Sequence, residues 1–193
     1  MAIAVKPVHF TWKTDVNADM YAYDGPKGSF KAGGKVYFRP MVGNIEFPPN
    51  TGKYYYEMLC NGDNFKIGVV ASAGADVSGE MGHAAGTTSC YLQNGVCDKG
   101  GQELKKCWRL LVPVAGCYLG CVWDSDTGTL QMFQNLEFVG TVVTEAFGLK
   151  GVAVRPAVGI AGLEDHNRNI GTGMKSAIVQ TAPRLPRGLT LAP

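Results

Sequence analysis

Gly116–Gly140 reads GCYLGCVWDSDTGTLQMFQNLEFVG. Tyr118–Trp123 carries no charge and is rich in aromatic and branched side chains. Asp124-Ser125-Asp126-Thr127-Gly128 then changes the chemistry. Asp and Ser side chains bond nearby backbone amides, and Gly128 accepts a positive φ. Thr129–Phe133 resumes the strand pattern, and Gln134-Asn135 marks a second turn. This is hairpin grammar, repeated along the chain, and it predicts an all-β sandwich.

Working outward, Val8–Trp12 reads as a first strand. Lys13–Lys35 reads as a long loop or loose hairpin around the apolar patch Met20–Tyr23. Val36-Tyr37-Phe38 and Gly43–Phe47 read as short strands broken at Arg39-Pro40. Pro48–Gly52 is a turn before the long strand Lys53–Cys60. Asn61-Gly62-Asp63 is expected to fold that strand back on Phe65–Ala71 as a hairpin. Ser72–Thr88 is a glycine-rich loop of the kind that is often functional. Ser89–Leu92 and Val96–Asp98 flank Asn94-Gly95, another hairpin signal. Lys99–Lys106 is polar and expected to be mobile. Trp108–Val112, Phe147–Val154, Pro156–Ile160 and Met174–Val179 complete the expected strands. Thr181–Pro193, with Pro183, Pro186 and Pro193, is expected to be an extended or disordered tail. No segment sustains helical spacing of apolar residues.

Several of these runs resemble the SPRY domain family. Gly120-Cys121, then Asp124, Asp126, Gly128, Leu130, Phe133, Asn135 and Gly140, are similar to its G-C-x-x-D-x-D-x-G-x-L-x-F-x-x-N-G segment. Gly52-Lys53-Tyr54-Tyr55-Tyr56-Glu57 resembles its G-x-Y-Y-F-E strand. Lys66–Val70 and Val154-Arg155-Pro156-Ala157-Val158 resemble two further strands, so the likeness covers about residues 50–162. Cys117 stands where the family usually has Asp. Leu136 stands where it usually has Gly, which argues against a tight two-residue turn there, because Leu is strained at positive φ. Gly159–Leu163 lacks the Trp that peptide-binding members carry. The resemblance implies a concanavalin A-like, jelly-roll arrangement of two antiparallel sheets with little helix.

The 193 residues fit one domain, expected over 1–180 and followed by the 181–193 tail. Glycine is abundant at 26 residues and charge is sparse at 18%, which suits short strands and turns. A net charge of +2 predicts neither nucleic-acid nor membrane binding. Met1–Phe10 has no secretory-signal core, and no run of apolar residues is long enough to span a bilayer. The expectation is a soluble, monomeric, cytoplasmic protein. In that compartment the six cysteines read as reduced, mostly buried thiols.

Chemistry candidates divide between site and packing. Asp124 and Asp126 form a pair that a glycosidase would want in one cleft, but the Thr127-Gly128 that follows makes a self-ordering turn the better reading. Asp15-Val16-Asn17-Ala18-Asp19 has the start of a calcium loop, with Met20 and Pro26 where Gly and Glu are required, so it reads as a solvated loop. Cys117 and Cys121, four apart on a strand, are about 13 Å apart and share no ion. A two-residue Asn-Gly loop pairs Leu92, not Cys90, with Cys97, and no C-x-x-C occurs, so no metal is expected. A dyad of Cys90 with His83 has nothing specific behind it. Consecutive Tyr54, Tyr55 and Tyr56 should alternate faces and pack on both sides of a central strand, with a sugar platform as the rival reading.

By the resemblance, the function is a non-catalytic interaction module without cofactors, gripping a protein or linear peptide through loops at one end. A glycan-binding lectin-like sandwich or a hydrolase on the same fold are the alternatives. Three loops would build the surface: Asp24, Gly25, Pro26 and Lys27; Ala75 and Asp76, leading to Tyr91; and Leu163, Glu164, Asp165 and Arg168. Tyr91 is either a rigid aromatic anchor or an ordinary cross-strand packing residue.

Overall fold

A computed structural model describes residues 2–31, 38–62, 64–107, 116–161 and 175–192. In chain order the strands are β1 (Ile3–Pro7), β2 (Tyr21–Asp24), β3 (Lys27–Phe30), β4 (Pro40–Val42), β5 (Lys53–Asn61), β6 (Phe65–Ala71), β7 (Thr88–Tyr91) and β8 (Val96–Lys99). They continue as β9 (Gln102–Lys106), β10 (Cys117–Asp124), β11 (Thr129–Gln134), β12 (Glu137–Val143), β13 (Val154–Ile160), β14 (Ser176–Val179) and β15 (Leu189–Leu191). Glu145–Phe147 forms one 3-10 turn. The strands pair into two sheets. One runs β12-β11-β10-β5-β14-β3-β2, with β1 and β15 attached; the other runs β4-β13-β6-β7-β8-β9. The expected two-sheet sandwich is what the chain forms.

The core lies between the sheets because alternate residues point inward. Tyr56, Met58 and Cys60 of β5 meet Leu119, Cys121 and Trp123 of β10, and Phe65, Ile67 and Val69 of β6 close the layer from the opposite sheet. Tyr55 points the other way and is also fully buried, so the alternation expected of Tyr54-Tyr55-Tyr56 holds. Its ring lies over Gly120, where an added Cβ would sit 2.5 Å from the Tyr55 hydroxyl. That close approach explains the glycine of the Gly120-Cys121 pair.

The hairpin that opens the sequence argument is present. β10 pairs with β11 from Leu119↔Gln134 to Asp124↔Thr129. At its tip Asp126 N–H donates to Asp124 Oδ1 at 3.0 Å, and Gly128 N–H donates to the Asp124 carbonyl at 2.8 Å. Gly128 has φ 72°, and a Cβ there would lie 2.4 Å from Lys150 N. The next turn corrects the expectation raised by Leu136. Asn135 (φ 49°) and Leu136 (φ 72°) do make a tight two-residue turn between β11 and β12, with both central residues left-handed as a type I′ turn requires. Asn135 is held by Tyr118 on both sides, N–H to carbonyl at 2.8 Å and Tyr118 N–H to Asn135 Oδ1 at 3.0 Å.

Other expectations change. β5 and β6 exist, but they do not pair with each other: β5 lies between β10 and β14, and β6 between β13 and β7. Asn61 and Gly62 lead from one sheet to the other. Both are strongly buried central strands, and the Asn61-Gly62-Asp63 turn signal between them reads as a hairpin although the chain crosses to the opposite sheet there. Val8–Trp12 lies past the end of β1 and forms no strand of its own; it is held by a Trp12↔Gly43 bridge and by hydrogen bonds such as Val8 N–H to the Tyr55 carbonyl at 2.8 Å. Pro40 begins β4 instead of breaking a strand. Gly43–Phe47 makes only isolated bridges, the second between Phe47 and Val154. The polar run before Cys107 forms the edge strand β9, whose exposed face needs no apolar residues. Phe147–Val154 is a 3-10 turn and loop up to the start of β13. Val36, Tyr37 and Trp108–Val112 fall outside the described residues.

The proline-rich segment is extended and anchored. β15 pairs parallel with β1, Ile3↔Leu189 to Val5↔Leu191. Leu189 packs with Val5, Tyr55, Val122 and Phe133 on the outer face of the nine-stranded sheet.

Candidate functional site

A cleft of about 130 Å³ opens on the outer face of the six-stranded sheet. Val42 of β4 and Val70 and Ala71 of β6 form its floor, Val16, Gly74, Ala75 and Val77 its walls, and Lys13, Ser72 and Arg155 bring polar groups to it. Beneath it is a small satellite core of Val42, Val70, Met81 and Ala157. The floor is apolar because Val42 and Val70 are outward-turned residues of their strands, under loops that cover them.

Two loops are clamped together to make the walls. Asn17 takes a left-handed conformation, φ 50°, and its amide nitrogen donates to the Pro40 carbonyl at 2.9 Å and the Val77 carbonyl at 2.8 Å. Lys13 N–H donates to the Val42 carbonyl at 2.8 Å. Farther along, Lys66, buried on β6, donates to Glu80 at 2.7 Å and to the Met81 carbonyl at 3.1 Å, with its ammonium over the Phe38 ring. These bonds press the 72–87 loop onto the sheet. Arg155 reaches the Asn44 carbonyl at 3.0 Å and Glu46 at 3.1 Å.

The sequence-derived surface residues separate in space. Ala75 lines the cleft. Asp76 follows it, with a carboxylate that accepts from the Ser78 hydroxyl (2.7 Å) and the Ser78 N–H (3.0 Å); these bonds hold it below the usual carboxylate range. Asp24, Gly25, Pro26 and Lys27 form the β2–β3 turn, with Gly25 at φ 54°. The Gly25 carbonyl accepts from Trp12 N–H at 3.3 Å, one residue before Lys13, and none of the four turn residues lines the cleft. The Tyr23 hydroxyl donates to the Val16 carbonyl at 2.5 Å. Burial, reinforced by the Asp15 and Asp19 carboxylates, pushes the Tyr23 phenol upward and keeps it a neutral donor.

Tyr91 is elsewhere. It pairs with Lys66, and Lys66 lies four positions before Val70 of the cleft, about 14 Å along an extended strand. Its ring meets Phe38 edge-on at 5.2 Å. Its hydroxyl lies on the side-chain oxygens of Asn64 (3.0 Å) and Gln93. Leu163, Glu164, Asp165 and Arg168 lie outside the described residues. The residues that sequence reasoning missed are Lys13, Val16, Val42, Val70 and Arg155. They come from four separate stretches, and no local motif links them.

The other chemistry candidates resolve into structure. Asp124 is paired with Lys53. Burial pushes its carboxyl up, but the Lys53 bond and charge and the Asp126 and Thr127 N–H groups outweigh that and hold it below its ordinary range. Asp126 Oδ1 accepts from Gly52 N–H at 3.2 Å. Both aspartates organise the turn, and neither lines the cleft. In the 15–19 stretch, Asn17 clamps loops and Asp19 pairs with Arg39 at 3.1 Å. His83 lies near Glu80 (3.6 Å) and Asp98 (4.0 Å), while Cys90 points into the core. Cys97 is the pairing partner of Cys90, not of Leu92. The loop between β7 and β8 runs from Leu92 to Gly95, four residues and not two, because Gly95 N–H bonds the Tyr91 carbonyl at 2.8 Å and closes a wider turn.

No family model matches this sequence, and no curated protein matches it. Solved structures do match. The chain is similar to the PSpry domain of TRIM65, with a TM-score of 0.66 at 12% identity over 92% of this chain and 94% of that one. It is similar to a human SPRY domain, with a TM-score of 0.60 at 14% identity over 86% and 98%. It is also similar to the SPRY domain of human HERC1, with a TM-score of 0.55 at 14% identity over 85% and 89%. At such identities the likeness is one of backbone architecture, which fits the two-sheet topology and the β10–β11 hairpin described above. The chain has a SPRY-like fold.

Proposed function

We propose that this chain is a non-catalytic interaction module, acting inside the cell, that takes a peptide or a partner-protein surface on the loop rim around the Ala75 cleft. One observation carries the reading: an apolar floor of Val42, Val70 and Ala71, walled by clamped loops, with the cations Lys13 and Arg155 beside it. A cleft of about 130 Å³ falls well short of the roughly 300 Å³ or more of a small-molecule pocket and suits one anchoring side chain of a larger partner. The SPRY-like fold supports the reading, because its neighbours are SPRY domains. Six free buried cysteines suit a reducing compartment. On this reading Asp24, Lys27 and Asp76 would set charge preference at the rim.

Peptides selected by display against the full chain provide the test, with affinities measured by calorimetry. Ala75→Trp fills the cleft and should weaken a selected peptide at least tenfold, about 1.4 kcal/mol. Tyr91→Ala should leave the affinity nearly unchanged. Undiminished binding by the Ala75→Trp protein would remove the cleft from the site, and a tenfold loss in Tyr91→Ala would move the site to the other end of β6.

A further inference from the structure

The sulfurs of Cys90, Cys97 and Cys107 all lie within 4.8 Å of one another, and those of Cys97 and Cys107 are 3.8 Å apart. They come from β7, β8 and the residue that follows β9. Cys90 and Cys97 are fully buried and Cys107 is 6% exposed; all three are free thiols. Buried cysteines commonly pack as small hydrophobes, and that is what Cys60, Cys117 and Cys121 do on the other sheet. The first three differ in converging on one point. Among the described residues they are the one group of three potential metal-ligating side chains whose ligand atoms come together in this way.

The spacing is that of a coordination sphere. Three sulfurs bound at about 2.3 Å to a tetrahedral ion stand about 3.8 Å from one another, and about 4.0 Å around a trigonal one. The Cys97–Cys107 separation already matches, and Cys90 needs at most a small inward movement. The chemistry agrees. The thiols have only weak partners to give up: Cys90 and Cys97 donate to the Gly95 carbonyl at 4.0 and 3.5 Å, and Cys107 to the Thr141 carbonyl at 3.9 Å.

We propose that Cys90, Cys97 and Cys107 hold a thiophilic d10 cation, zinc or monovalent copper, as three thiolates. Each S–H bond is exchanged for a sulfur–metal bond, and the protons leave to solvent. Thiolates select these ions over hard cations. Monovalent copper is satisfied by three sulfurs, and zinc would take one additional ligand. The ion would lie in the core between the β7–β9 part of one sheet and β12 of the other, since the Cys107 sulfur is 3.9 Å from the Thr141 carbonyl of β12. Its binding therefore staples the β7–β8 hairpin to the chain leaving β9, alongside β12.

The full chain, reduced and freed of metal, is titrated anaerobically with zinc in one arm and monovalent copper in the other, against a competing chelator. Native mass spectrometry counts the ions, and thermal melting follows stability. The expected result is a single ion per chain in at least one arm, with a higher melting temperature when loaded; the tighter arm identifies the ion. Cys97→Ser and Cys107→Ala should each weaken binding by roughly a hundredfold or more, while Cys121→Ser binds like the parent. Cys107→Ala provides a second, less buried substitution should Cys97→Ser fail to fold. Failure of both ions to bind at micromolar concentration, or parent-like binding by Cys107→Ala, would overturn the site. So would a Cys97–Cys107 disulfide in protein freshly isolated from cytosol.

Discussion

Leu136 carries a conformation its side chain disfavours. An L-residue other than Gly, Asn or Asp in the left-handed region loses about 1–2 kcal/mol to the clash of Cβ with the following carbonyl. At φ 72° Leu136 bears part of that cost, and the neighbouring Asn135, bonded twice to Tyr118, holds the turn closed around it. Leu136→Gly should therefore stabilise the protein by about 0.5–1 kcal/mol after the extra freedom of glycine in the unfolded chain is subtracted. For a chain of this size that raises Tm by about 2–3 °C. A melting curve would check it, and an unchanged or lower Tm would mean that the turn is not strained. Gly128 shows the opposite case. There the turn demands glycine both for φ and for the nearness of Lys150 N, and the sequence supplies it.

Among the elements, the segment after β14 shows most plainly how one long-range ion pair can order a proline-rich stretch. Glu57 of β5 is 2% exposed at its side chain and lies on the outer face of the nine-stranded sheet. Arg184 donates to it through its backbone N–H (3.1 Å), Nε (3.2 Å) and Nη2 (2.7 Å), and the Arg184 guanidinium covers the Tyr118 ring at 3.9 Å. The Tyr55 hydroxyl donates to the Arg184 carbonyl at 2.7 Å. Arg184→Ala would leave a buried carboxylate partly unpaired. Breaking a fully buried pair costs about 3–5 kcal/mol, but Arg184 is 48% exposed at its side chain, so a loss of about 2 kcal/mol is expected by urea denaturation. Protease should then cut the tail ahead of the strands. Glu57→Gln combined with Arg184→Ala should recover part of the loss, because no charge is left stranded; no recovery would show that the pair matters through packing alone.

For the whole molecule, the decisive feature is the passage of the chain between sheets after β5. β5 and β6 share a core without sharing a hydrogen bond between their strands, and Trp12 and Trp123 are buried in that core at 2% and 0% exposure. Trp12 Nε1 also donates to the Ala177 carbonyl at 3.3 Å. Neither sheet can lose its inner face without exposing the other's, so unfolding should be a single cooperative step. Urea transitions followed by tryptophan fluorescence and by far-ultraviolet circular dichroism should coincide; separated midpoints would mean that the sheets unfold independently. The Ala75 cleft depends on the same arrangement, since its floor is the outer face of a sheet whose inner face is the core.

What the sequence alone determined was local chemistry. Alternation placed Tyr55 opposite Tyr54 and Tyr56, and Asp124, Asp126 and Gly128 specified a turn, because side-chain direction and φ preference are properties of a few neighbouring residues. Strand existence in Lys53–Cys60, Phe65–Ala71 and Pro156–Ile160 was legible for the same reason. Which strand pairs with which was not, because two apolar runs joined by a turn signal look alike whether they pair as a hairpin or face each other across a core. The cleft residues Lys13, Val42 and Arg155, the meeting of Cys90, Cys97 and Cys107, and the docking of Arg184 on Glu57 were likewise decided only by tertiary structure. Each joins residues far apart in the chain, and the free energy that brings them together comes from burying the shared core, which no local window of sequence contains.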